Sequence, residues 1–503
     1  MKIKISTISN NSIKKFNGAI TIFLSLSLSL IVSLIFYTLE SCHLDALVAR
    51  SEGITYLSLD SLFGQYCLPL FEDYGLFCLN EQGIDLENEI KKYADQNTRT
   101  PSSILSSNSS FLNLSVDNVD ITSVKYITDN DGEAFVSQIC DYVKYMEIAT
   151  YAQSLCDSSN ISTPEMFVTS EDGTLNMDFN SIDLEKANSV KSYDNNSDSN
   201  SETITSDIIV SEDFKDNIST YIGHIIKNGL LSFLVDDPKN VSTQSTKKDI
   251  LPSVTCQLSE EGIAASYGYY KDLSKTTLEK AYFCEYIYNT FGCYTSPAQN
   301  TYLKYPIEYI INGSDSDDTN FTSCCSHIIN LRLGFNMIYL LCDEEKYADA
   351  KKAAELANVL PIPGARYIAR ITILTVWAAA EALLDTRDLL SGKNVPLIKS
   401  DENWTLELTD LTSFSKNTTS KNKGDDGLSY KRYLELLLAT QNNISLYYRT
   451  MDLIQMDICY QYSEDFRISK CVYSLDVTIQ YSFPYLFLSK KTKYKSTGHQ
   501  RYK

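Results

Sequence analysis

Residues 19–39 read AITIFLSLSLSLIVSLIFYTL, and no charged side chain occurs between Phe16 and Leu39. As a helix these 21 residues span about 31 Å, close to the roughly 30 Å hydrocarbon core of a bilayer. Lys2, Lys4, Lys14 and Lys15 precede the run without an acid, and Glu40 and Asp45 follow it. Positive charge on the near side predicts a cytoplasmic N-terminus and an exported remainder. The run is longer than the apolar core of a cleaved signal peptide, about 7–15 residues. The expectation is a single-pass protein of the cell membrane, with its C-terminus extracellular and the lipid bilayer as its first partner.

Thr21, Ser25, Ser29, Ser33 and Tyr37 recur every four residues and draw one polar stripe along this helix. Small residues at that spacing let helices approach closely in lipid, so the stripe is a candidate packing face for other membrane proteins. The competing reading is an anchor that tolerates serine because each hydroxyl bonds back to its own i−4 carbonyl. Leu44, Leu47, Ile54, Leu59, Leu62 and Tyr66 keep approximate helical spacing beyond the membrane, and Pro69 is the first firm breaker. The spacing predicts one helix from about residue 17 to 67, with a stalk over 40–68.

Asn17-Gly18-Ala19-Ile20-Thr21-Ile22-Phe23 after a basic tail, then Leu39-Glu40 and Asp60-Ser61-Leu62-Phe63, resembles the opening of TadE/TadG-like pseudopilins. Those are components of tight-adherence (Flp) pili. More specifically, the chain resembles an uncharacterised family of large membrane proteins from clostridial pilus loci. The likeness continues in Tyr74-Gly75-Leu76-Phe77, Glu308-Tyr309-Ile310-Ile311-Asn312-Gly313 and Trp377-Ala378-Ala379-Ala380-Glu381. It also includes Leu389-Leu390-Ser391-Gly392-Lys393 and Tyr430-Lys431-Arg432-Tyr433-Leu434. The resemblance implies a pilus-associated structural or assembly role with pilus-assembly partners, and it brings no assigned activity.

Of 503 residues, 43% are apolar and 11% aromatic, enough for a substantial core. The net charge of −20 argues against a nucleic-acid binder, which needs a surplus of Lys and Arg on its binding face. A basic cytoplasmic tail (1–18), the membrane helix (19–39) and the stalk (40–68) lead into the exported part. A first ectodomain part is expected over 69–157, with strands at 74–79 and 119–127 and a helix at 133–155. Residues 158–213 are rich in Ser, Asn, Asp and Thr and read as linker or long loops, since they cannot bury enough apolar surface. A C-terminal domain is expected over 214–489. It has helices at 276–292, 319–342, 365–390, 428–440 and 445–459, a strand at 305–311, and a strand at 471–483 marked by 13 residues of strict alternation. Helices and strands mix without a βαβ rhythm, so the fold class is α+β.

Residues 490–503 carry Lys490, Lys491, Lys493, Lys495, Arg501 and Lys503 without an acid. Their composition predicts a disordered basic tail able to dock on an anionic surface.

Mechanistic motifs are scarce. No GxxxxGK[ST], HExxH or GxSxG sequence occurs, and no CxxC pair. The 13 cysteines are scattered; Cys284 and Cys293 are the closest plausible disulfide pair, and free buried thiols are the favoured reading. Cys324-Cys325-Ser326-His327 has no companion ligand cluster. Asp315, Asp317 and Asp318, and the segment Asp129–Glu133, suggest calcium loops by charge, with helix capping as the plainer explanation. Glu381 and Asp385 stack one turn apart beside Trp377. Such a pair either splits its pKa values for acid/base work or is neutralised by Arg370 or Arg387. No catalytic, cofactor or metal residue is assigned. The expectation is a non-enzymatic, pseudopilin-like membrane protein, with a membrane-anchored cell-wall hydrolase or an extracellular ligand-binding domain as alternatives.

Overall fold

The apolar run and the helical spacing behind it fold as one continuous helix, α1 (Gly18–Phe63), of 46 residues. The computed structural model describes residues 18–98, 112–156, 229–246, 250–255, 273–356 and 365–502. The basic N-terminal tail up to residue 17, the Ser/Asn/Asp-rich segment at 158–213 and Lys503 lie outside the described residues. From Ile20 to Leu39 the large apolar side chains of α1 are exposed, whereas Leu47, Ile54, Leu59 and Leu62 are buried.

The chain divides into two units that do not follow sequence order. The first gathers residues 1–66, 78–126 and 472–503, and the second 67–77 and 127–471. The expected first ectodomain part is therefore split between them, and the expected C-terminal domain gives up its last strand.

In the first unit, α1 is joined by β1 (Leu79–Asn80), α3 (Leu86–Thr98), β2 (Ser115–Tyr126), β3 (Cys471–Pro484) and β4 (Lys491–Arg501). Strand β3 lies centrally, antiparallel to both β2 and β4. Its inward residues Leu475, Val477, Ile479, Tyr481 and Phe483 are all buried, and an apolar face of that kind must be covered. The second half of α1 and helix α3 supply the cover, with Leu47, Ile54, Leu59, Ile90 and Ala94 in the same cluster. Residues 40–63, expected as a stalk helix, thus continue α1 as expected and form a core helix of this unit.

The basic tail is corrected as well. Lys491 to Arg501 pair with Pro484 to Ser474 in unbroken register. Lys491, Lys493, Lys495, His499 and Arg501 alternate outward, while Tyr494, Ser496, Gly498, Gln500 and Tyr502 turn inward. The middle of the inner face, Ser496 and Gly498, is small because α1 runs so close there. A Cβ on Gly498 would lie 2.7 Å from Leu59 Cδ1 and 2.8 Å from Thr55 Cγ2. Tyr494 Oη donates to Glu52 (2.8 Å), Gln500 Nε2 to Asp60 (2.9 Å) and Tyr502 Oη to the carbonyl of Phe63 (2.7 Å). The lysines of an exposed edge strand discourage pairing with other chains.

The second unit is helical. It contains α2 (Leu68–Tyr74), α4 (Asp129–Cys156), α5 (Leu230–Leu234), α6 (Pro252–Thr255), α7 (Leu273–Thr290), α8 (Pro306–Asn312), α9 (Asp317–Cys342), α10 (Glu344–Leu356), α11 (Ala365–Leu390), α12 (Tyr430–Thr440) and α13 (Asn443–Gln461). Helices α9 and α11 pack along each other at its centre.

Two strand expectations fail. Residues 74–79 give only the two-residue β1, following α2. The β-branched segment after Tyr305 forms α8: Pro306 opens it, and Gly313 closes it in the left-handed conformation (φ 67°). A Cβ on Gly313 would lie 2.5 Å from Arg449 Nε, so both its backbone and its missing side chain are used.

Candidate functional site

The stripe residues Thr21, Ser25, Ser29, Ser33 and Tyr37 sit on the exposed half of α1. Ser25 Oγ donates to the carbonyl of Ile22 (2.9 Å), so its hydroxyl is bound within its own helix, to the residue three positions back. That leaves the stripe small in profile, which close helix approach requires.

The carboxylate pair on α11 is deeply built in. Glu381 and Asp385 are 0% and 1% exposed. The ammonium of Lys399 bridges them, contacting Glu381 and lying 2.6 Å from Asp385 Oδ1. From α9, Arg332 donates through Nε to Asp385 Oδ2 (3.0 Å), and through Nη1 to the carbonyls of Pro396 (2.8 Å) and Leu397 (2.7 Å). Asn336 adds a bond to Asp385 (3.0 Å), and Glu381 accepts the backbone N–H groups of Thr405 (2.9 Å) and Leu406 (3.0 Å). Trp377 and Trp404 both donate to the carbonyl of Leu406.

Two cations therefore face two carboxylates out of solvent, and together they hold the loop between α11 and α12 against the helices. Burial pushes the Asp385 carboxyl up, but the charges of Arg332 and Lys399 together outweigh it and leave it below the ordinary range. Burial, with the neighbouring charge of Asp385, holds Glu381 above it despite Lys399. The partners expected from the same helix have other work. Arg387 donates to the carbonyls of Lys416 and Thr418, and Arg370 lies over the rings of Tyr347 and Tyr367.

Three further buried carboxylates follow one pattern, in which each accepts a backbone N–H from another segment, a loop or the short α6, and a tyrosine hydroxyl. Glu308 takes Tyr294 N (2.8 Å) and Tyr430 Oη (3.0 Å). Asp452 takes Ser253 N (2.9 Å) and Tyr309 Oη (2.8 Å). Asp457 takes Tyr302 N (2.7 Å) and Tyr74 Oη (2.9 Å). Burial pushes Glu308 up to about 7 and Asp452 and Asp457 up to about 6, the hydrogen bonds offsetting only part of it. Asp317, read as calcium-like in charge only or as a helix cap, holds a loop: its Oδ2 accepts Ser242 Oγ (2.6 Å) and Lys304 N (3.0 Å).

Residues 210–483 match the model of a family of unknown function, DUF5702. The chain belongs to that family. No curated protein and no solved structure matches the chain. The DUF5702 match includes the buried ionic cluster, the Glu308–Tyr430 and Asp452–Tyr309 pairs and all of β3 but its last residue. It stops before β4 and leaves Tyr74, the partner of Asp457, outside. Two segments that carried the sequence resemblance meet within it, since Glu308 and Tyr430 bond directly, and Tyr433 from the second accepts from Arg332 Nη1 (3.2 Å) in the ionic cluster.

Cys284, Cys293, Cys324 and Cys325 are buried free thiols, and burial pushes the last two well above the ordinary range. Among the described residues no three His, Cys, Asp or Glu side chains are grouped to hold a metal. Lys399 and Arg332, which decide what the carboxylate pair does, were missed because neither shares its helix. The run Arg332-x-x-x-Asn336 at i,i+4 spacing on an apolar helix was the one available signal.

Proposed function

We propose that the chain is a non-enzymatic, single-pass membrane-anchored protein that serves outside the cytoplasm as a pilus-associated, pseudopilin-like structural or assembly component. The observation that carries this reading is α1. One helix presents an uncharged, largely apolar surface of bilayer length and then becomes the core helix of a folded unit. The first unit is built on its own anchor, as a scaffold component requires. The resemblance at residues 17–23, 39–40 and 60–63 adds the pilus context.

The hydrolase alternative rested on Glu381 and Asp385. Both are neutralised and sealed from solvent, so neither reaches a polymer outside. The stripe supplies the lateral contact to partner helices.

In cells that make the protein, deleting it should lower the number of surface filaments, and the wild-type chain should restore them. Replacing Ser25, Ser29 and Ser33 together with Leu should preserve membrane insertion and weaken lateral helix association by about 1–2 kcal/mol. That variant should restore filaments incompletely. Filament numbers indifferent to the deletion would remove the pilus assignment.

A further inference from the structure

The β3–β4 hairpin does not end in open solvent beside the folded unit. Its tip, residues 485–490, lies against α1 where the apolar run stops. The Phe487 ring stands 4.7 Å from the ring of Phe36, which is within that run. The backbone N–H groups of Leu486 and Phe487 donate to the carboxylate of Glu40, the first charge after the run, at 3.1–3.2 Å. Tyr485 N bonds the carbonyl of Lys490 (3.1 Å) and closes the turn. Phe487 and Leu488 are 49% and 58% exposed, while Phe36 and Leu39 are 48% and 47% exposed. The two apolar patches are therefore one continuous surface. Lys490, Lys491 and Lys493 are exposed just behind the tip.

We infer that this hairpin tip is a second membrane contact, in which Phe487 and Leu488 enter the interfacial layer of the bilayer that holds α1 and Lys490, Lys491 and Lys493 meet anionic lipid headgroups. This rests on the membrane-anchor reading of α1 given above. Phe36 lies only about 4.5 Å along the helix axis from Leu39, so the tip reaches the edge of the hydrocarbon rather than its middle. An aromatic and a leucine with adjoining lysines suit that layer, where rings and aliphatic groups leave water and ammonium groups remain near phosphate. Each lysine near an anionic surface adds an attraction that salt screens. Glu40 keeps two hydrogen bonds from the tip, so its charge is satisfied at that depth. With two attachment points, the first unit and α1 together cannot tilt or spin freely against the membrane.

The test uses the full chain in vesicles containing anionic lipid brominated at shallow or deep acyl positions. Trp emission is read after subtraction of the wild-type signal from the buried Trp377 and Trp404. Phe487→Trp should lose emission to shallow bromines and shift to the blue. Leu30→Trp should lose it to deep bromines, and Tyr56→Trp, farther out on α1, should lose it to neither. If Leu30→Trp is quenched while Phe487→Trp emits as in bromine-free vesicles, the hairpin contact is wrong and the anchor stands. If Leu30→Trp is unquenched, the anchor reading falls and the hairpin contact with it. Equal quenching of Tyr56→Trp would mean that the unit lies flat on the lipid, which also overturns a contact confined to the tip.

Discussion

A chain ending at Ser489 should fail to fold its first unit. Removing residues 490–503 strips β4 from β3 along the whole register from Ser474 to Pro484 and uncovers the side of α1 that carries Thr55 and Leu59. Tyr494, Gln500 and Tyr502 take three side-chain bonds to α1 with them. Losing a paired strand and a helix–sheet contact together acts on the scale of a domain's whole stability, about 5–15 kcal/mol. Hydrogen exchange on the truncated chain in micelles should find the amides of β3 and α3 unprotected. The control changes Lys491, Lys493 and Lys495 to Ser, which removes the charge and keeps the strand, and it should exchange like the wild type. Protected β3 amides in the truncated chain would mean that residues 490–503 are only a tail.

The second large effect lies in the buried ionic cluster. Lys399→Met leaves Glu381 buried with two backbone N–H groups and no cation, so it either stays charged at a cost or takes up a proton. Asp385 keeps Arg332 as its one cation. Removing one partner from a buried ion pair costs about 3–5 kcal/mol. Glu381→Gln combined with Lys399→Met should cost less than Lys399→Met alone, because the uncompensated charge is gone. The two tryptophans, the only ones in the chain, both flank this cluster, so their emission during denaturant unfolding reports on it. A Lys399→Met transition within about 1 kcal/mol of the wild type would contradict the assignment of Lys399 as the counter-charge.

These two regions also mark where the sequence could and could not be read. Strand β3 was legible because Leu475, Val477, Ile479, Tyr481 and Phe483 alternate with polar residues over a length no helix tolerates. Its partner β4 alternates as faithfully, but between lysines and Thr492, Tyr494, Ser496, Gly498 and Gln500, a pattern without hydrophobic contrast. The closeness of α1 selects Ser496 and Gly498 in the middle of that face and hydrogen-bonding side chains on either side, and that closeness is a tertiary fact.

Helix α8 was misread for a different reason. Ile307, Tyr309, Ile310 and Ile311 favour a strand locally, and tertiary packing overrode that preference. Pro306 and Gly313 had announced the helix ends. For the carboxylate pair, the sequence supplied the spacing on α11 but not the cations. Lys399 lies on the following loop and Arg332 on a preceding helix, and only the packing of α9 on α11 brings them together. The scatter of 35 tyrosines gained a reason as well: several of their hydroxyls satisfy carboxylates that burial has deprived of water.

The central claim is that α1 crosses a membrane and carries everything after Glu40 to the outside. Protease shaving of intact cells, stripped of outer wall layers, tests it most directly. The account predicts that the body beyond Glu40 is digested while a cytosolic marker survives, leaving a small membrane-protected fragment around residues 19–39. Survival of the full body while a known surface protein is digested would contradict it.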